Sequence, residues 1–138
     1  MIRALLTSCA SLAVVLASPA VPQEREPSAG PLCVYAIVNV AAEVGRRCAT
    51  LHDAVVQSAL DKSVATLDAW VLREGWTQAE MIAFKREQAH IGDPNPDVDL
   101  CTGDAAMFYP KRSYIPQLET ITARVAATTG PPQWGDCL

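Results

Sequence analysis

Four cysteines constrain what this chain can fold into more than any other feature: Cys33, Cys48, Cys101 and Cys137. A fifth, Cys9, lies inside a stretch that reads as a cleaved export signal. Met1-Ile2-Arg3 supplies a charged start, Ala4 to Ala17 is mostly apolar, and Ser18-Pro19-Ala20 offers small residues to a signal peptidase. The apolar run falls short of the roughly 20 residues a helix needs to cross a bilayer. Residues 1–20 therefore read as removed, not as an anchor, with no stable membrane insertion of the mature chain. Leu6-Thr7-Ser8-Cys9 resembles the box before the lipidated cysteine of bacterial lipoproteins, but the apolar run continues past Cys9 to Leu16, where a lipidation site should follow it. An even number of cysteines in a short exported chain implies bridges, because the periplasm and the exterior are oxidising.

Four cysteines allow three pairings. Leu32 to Val44 reads as a helix, which places Cys33 about 16 Å along the axis from Val44. A bridge needs Cα atoms within roughly 7 Å, so Cys33 to Cys48 would demand a sharp return of the chain. An up-and-down arrangement puts Cys48 and the start of a fourth helix, at Cys101, at one end, and an irregular tail can carry Cys137 back to Cys33. This reasoning favours Cys48–Cys101 with Cys33–Cys137. Loops of such length are worth roughly 4 kcal/mol each in chain entropy. No Cys-x-x-Cys spacing marks a thiol–disulfide enzyme.

Between the cysteines the patterning is helical. Val21 to Gly30, with two prolines and no apolar period, reads as a leader that ends at residue 31. In Leu32 to Val44 only Asn39 and Glu43 are strongly polar, so the apolar residues nearly encircle the helix, as in a central element. Gly45 is placed just past its end, with Arg46 and Arg47 suited to the negative pole. From Leu51 to Glu74, Val56, Leu60, Val64, Leu67 and Val71 stripe one face. Gly75-Trp76-Thr77 stops that helix and starts the next: Thr77 and Glu80 spell a capping box, and Trp76 and Met81 a hydrophobic staple. The third helix is expected from Gln78 to about His90, with Met81, Phe84 and Ile91 inward. A fourth is expected from Leu100 to Tyr109, stopped by Pro110. A fifth, capped by Ser113, carries Pro116 in its first turn and Leu118, Ile121 and Val125 on its inner face. The expectation is an all-α, small up-and-down bundle of about five helices, stapled by two disulfides, in one domain over residues 32–138.

Charge narrows the function classes. The net charge is −4, one unit more negative once Arg3 leaves, and no basic cluster is larger than a pair. Nucleic acid needs a concentrated positive field, which this chain lacks. No metalloprotease, serine-hydrolase or phosphate-loop motif occurs. One loop resembles a helix–loop–helix calcium site, with oxygen side chains at Asp93, Asn95, Asp97, Asp99 and Asp104. Val98 stands where such loops want glycine, Asp104 is shorter than the usual glutamate, and Pro94 and Pro96 stiffen the chain. The same residues make turns and caps. His52 and His90 are the only histidines, and a base without a nucleophile or metal is no mechanism. Trp70, Trp76, Trp134, Tyr109 and Tyr114 fit core and joint positions better than one pocket, Trp134 serving to plug the tail onto the helices.

No cofactor and no catalytic residue is assigned. The reading is a small exported domain, periplasmic or secreted, that acts as an interaction module on a protein or small apolar ligand. Its alternatives are a divalent-cation binder using the Asp93–Asp104 loop and a hydrolase whose site leaves no motif.

Overall fold

The structure, a computed structural model, describes residues 29–137. The expected signal, Cys9 and most of the leader lie outside the described residues. Those described are helical, with no strands: α1 is Pro31–Arg47, α2 Ala54–Arg73, α3 Gln78–Ala89 and α4 Ile115–Ala126. No helix among them is long and apolar enough to cross a membrane.

α1 is the central element. Eleven of its residues are buried, including Tyr35, Val38, Ala42 and Val44. Its two polar members are buried too: the Asn39 amide N–H donates to the Tyr35 carbonyl at 2.9 Å, leaving its Oδ1 without a partner among the described residues, and Glu43 accepts from Arg46 and Arg47 at 3.1 and 2.6 Å. Such pairing offsets the desolvation that an isolated buried polar group would suffer. The α1 helix does not stop before Gly45 but runs through it to Arg47. A Cβ at Gly45 would lie 2.0 Å from Gln57 Oε1 and 2.4 Å from Tyr109 Cε2. Glycine is there to let two side chains approach the helix backbone, not to end the helix.

α2 returns along α1. Its Gln57 donates to the Ala42 carbonyl near one end, and the Tyr35 hydroxyl donates to Asp68 near the other. The predicted stripe of Val56, Leu60, Val64, Leu67 and Val71 is wholly buried. The helix starts at Asp53, whose carboxylate accepts from the N–H groups of Val55 and Val56. At its end the Trp76 N–H reaches the Val71 carbonyl and the Gly75 N–H that of Leu72, with Gly75 at φ 103°. That is the paired-bond stop which a residue without a Cβ adopts most easily. Thr77 and Glu80 then close both halves of the capping box that opens α3. α3 turns back along α1, where Lys85 meets Asp68 at 2.7 Å and Phe84 stacks on Tyr35.

Among the described residues four α-helices are present where about five were expected. Leu100 to Tyr109 forms no α-helix; it holds a turn and then a short 3-10 segment, Asp104–Phe108. Asp99 binds the N–H groups of Cys101 and Thr102, which commits the chain to a local turn. Gly103 and Pro110 then leave too little chain to recover the cost of starting an α-helix. A second 3-10 turn, Arg112–Tyr114, leads into α4. Ser113 sits inside that turn and does not cap; α4 has no side-chain cap and begins with Pro116 in its first turn. α4 lies beside α2 in the same direction, Glu119 near Lys62 and the Ala126 carbonyl on Arg73.

Each end of α1 carries a disulfide. Cys33 pairs with Cys137 and Cys48 with Cys101, with Cα atoms 5.5 and 5.4 Å apart. The first bridge ties the tail to the start of α1; the second ties the α3–α4 connection to its end.

Candidate functional site

The α3–α4 connection is where the scaffold presents side chains outward. Cys101 anchors it to Cys48, and Leu100 is buried beside Val44. Further along, the Tyr109 hydroxyl accepts from the Asp53 N–H at 3.0 Å and lies 3.2 Å from the Asp53 carbonyl. Arg112 Nε donates to the Asp53 carboxylate at 2.7 Å. The Arg112 guanidinium, helped by the N–H groups of Val56 and Val55, holds the Asp53 carboxyl below the usual carboxylate range. Three anchors thus fasten one short segment to the ends of α1 and α2.

Between and beside these anchors, large apolar groups face solvent. Met107 is 77% exposed, Phe108 43% and Tyr114 54%. Val55, in the first turn of α2 beyond Asp53, is also exposed. Lys111 stands in the same segment, exposed and with no ion pair among the described residues. Connections held by a rigid scaffold are common places for binding residues. Sequence periodicity hid Met107 and Phe108 by assigning them to a helix. The signal that could have found them is the Gly103-to-Pro110 interval, too short for an α-helix yet holding two adjacent large apolar residues.

The residues singled out for chemistry do not meet. Asp93 accepts from the Asn95 N–H at 3.0 Å, and Asp99 from its own turn and the Thr102 hydroxyl. Asp104 opens the 3-10 segment. Among the described residues, no three of His, Cys, Asp or Glu gather where they could hold a metal ion. Thr102, Cys101 and Asn95 are the groups those carboxylates serve instead. His52 bonds the Gly45 carbonyl at 2.8 Å, so it caps the end of α1, while Asp53 turns to its own helix and to Arg112. His90 closes α3 in the left-handed conformation, 3.8 Å from Asp93.

The aromatics are divided among different tasks. Trp70 is in the core, its indole N–H donating to the Thr128 carbonyl at 3.3 Å. Trp76 and Trp134 both contact Phe84, Trp134 from the tail. Tyr109 is an anchor and Tyr114 is exposed. Among the described residues two open surface grooves have volumes of about 290 and 280 Å³. The first lies between α2 and α4, with Ser63 and Thr122 in its floor and Lys62 and Glu119 on its rim; the second lies under the proline-rich tail beside Trp70. Neither histidine lines either groove.

The Tyr35 hydroxyl, Asp68 and Lys85 form a chain of polar contacts under α3. Burial, then the hydrogen bond to Asp68, pushes the Tyr35 phenol well above its ordinary value, so it stays a neutral donor. It joins three helices. No family model matches this sequence, and neither a curated protein nor a solved structure matches it.

Proposed function

We propose that the chain is a non-enzymatic interaction module of the cell envelope, working in the periplasm or outside the cell. Its contact surface is the α3–α4 connection, with Met107, Phe108 and Tyr114 as the apolar contacts and Lys111 beside them. The observation that carries this reading is the exposure of those three side chains on a segment pinned at Cys101, Tyr109 and Arg112. Burying large apolar side chains on binding is favourable by about 1.5–3 kcal/mol for each one fully covered. Rigid presentation spares the ordering cost that a floppy loop would incur on docking. The lysine suits a protein partner whose apolar pocket has an acidic rim.

The test uses the oxidised mature chain as immobilised bait in periplasmic extract, beside a Met107→Asp/Phe108→Asp variant. These positions are exposed, so the variant should melt like the parent. The expected result is a protein retained by the parent and lost by the variant. Identical retention by both, or retention of nothing by the parent, would defeat the proposal.

A further inference from the structure

The two disulfides sit at opposite poles of one helix. Cys33 is the third residue of α1, after Pro31 and Leu32, and Cys48 is the residue that caps its other end. Both sulfur-bearing residues are buried to the same degree, at 4% and 2% exposure. Burial does not separate the two residues, whereas their places at opposite poles of α1 do. A helix start favours negative charge and lowers a thiol's pKa; a helix end does the opposite. In thiol–disulfide exchange the better leaving group is the sulfur with the lower pKa.

Access points the same way. Cys137 is exposed, on a tail that is exposed along most of its length, whereas Cys101 is half-buried beside Leu100. Apart from its bridge, the tail is held by few bonds. The Gly30 and Leu32 N–H groups donate to the carbonyls of Asp136 and Gln133 at 2.7 and 3.1 Å, the Gly130 N–H donates to Glu74 at 2.8 Å, and Trp134 leans on Phe84. These tail carbonyls supply the cap that α1 lacks from any side chain.

We propose that Cys33–Cys137 is an exchangeable bridge, opened by a dithiol reductant while Cys48–Cys101 stays closed, and that opening it releases the tail. This goes beyond the docking reading and uses a different end of the molecule. A thiolate of the dithiol attacks the sulfur of Cys137, the exposed residue of the pair, and the bridge breaks with Cys33 leaving as a thiolate at the helix start. The dithiol's second sulfur then closes on the first and expels Cys137. Two electrons pass to the protein, the two protons of the dithiol end on Cys33 and Cys137, and the reductant becomes a cyclic disulfide. The freed tail withdraws Gln133 and Asp136 from the start of α1, lifts Trp134 from Phe84 and opens the groove beside Trp70. The redox state of the compartment is thereby read as a tail docked or released.

The experiment exposes the oxidised mature protein to dithiothreitol, blocks thiols at timed intervals with an alkylating agent, and maps the modified cysteines by mass. Cys33 and Cys137 should be labelled at least tenfold faster than Cys48 and Cys101, with helical circular dichroism retained. Equal rates, opening of Cys48–Cys101 first, or labelling only on loss of helix would overturn the proposal. Gly30→Ala gives a second reading: its Cβ would meet the Trp134 carbonyl oxygen at 1.6 Å, so the tail's backbone bonds are broken. That variant should accelerate opening of Cys33–Cys137 and leave the other bridge's rate unchanged; no acceleration would count against it. In Cys33→Ser/Cys137→Ser, an aromatic-specific protease should cleave after Trp134 far faster than in the parent. A tail equally resistant in that variant would show that the bridge does not govern release.

Discussion

Replacing Gly45 with alanine sets two effects against each other. Gly45 lies in the last turn of α1 with an ordinary helical backbone, where alanine is worth about 1 kcal/mol more than glycine. The added methyl, however, would stand 2.0 Å from Gln57 Oε1 and 2.4 Å from the Tyr109 ring. Neither side chain is free to move: Gln57 is buried and donates to Ala42, and the Tyr109 hydroxyl is bonded to Asp53. Overpacking of this kind costs about 1–3 kcal/mol. Displacing the Gln57 amide from the Ala42 carbonyl removes a buried hydrogen bond worth about 1 kcal/mol more. The losses win, by about 2 kcal/mol. For a domain of this size that lowers the melting temperature by about 10 °C. Thermal denaturation of the oxidised parent and Gly45→Ala, followed by far-ultraviolet circular dichroism, measures it. Gln57→Ala should cost less in the Gly45→Ala background than alone, because it removes the nearer clash. A variant as stable as the parent, or more so, would refute close approach as the reason for glycine here.

Two further outcomes follow from named contacts. Thr77→Ala removes the side-chain oxygen that receives the Glu80 N–H at the start of α3, at a cost of about 1 kcal/mol in denaturant unfolding; no change would mean that the staple alone fixes the joint. Asp53 has a carboxyl held below its ordinary value, first by Arg112, so it contributes stability that is full above the unfolded carboxylate range near about pH 4 and is lost as pH falls through the lowered value. Melting temperature should therefore decline on acidification below about pH 4, and Asp53→Asn should decline less steeply over the same range; parallel curves for the two proteins would exclude Asp53 as a contributor.

Much of the fold was legible because its signals are local. The apolar stripe from Val56 to Val71 needs only helical periodicity, and Gly75-Trp76-Thr77 with Glu80 encodes a stop, a cap and a start within a few residues. Asn39 and Glu43 could be picked out as the polar members of α1, and their burial followed from its central place. Less was legible at the candidate site. Met107 and Phe108 fall within an expected helix until it is known that Asp99 commits its carboxylate to a turn. Asp53 proves to be the joint of three elements only when Tyr109 and Arg112 arrive from more than fifty residues away.

By itself the chain's order of residues determined an all-helical protein with two sulfur links, since periodicity, capping and cysteine parity act between neighbours or by count. Tertiary structure decided which glycine ends a helix and which admits a neighbour, because Gly45 and Gly75 are distinguished by what stands beside them in space and not by what precedes them in sequence. It also gave the two bridges, one at each pole of a single helix, different surroundings, which cysteine spacing does not specify.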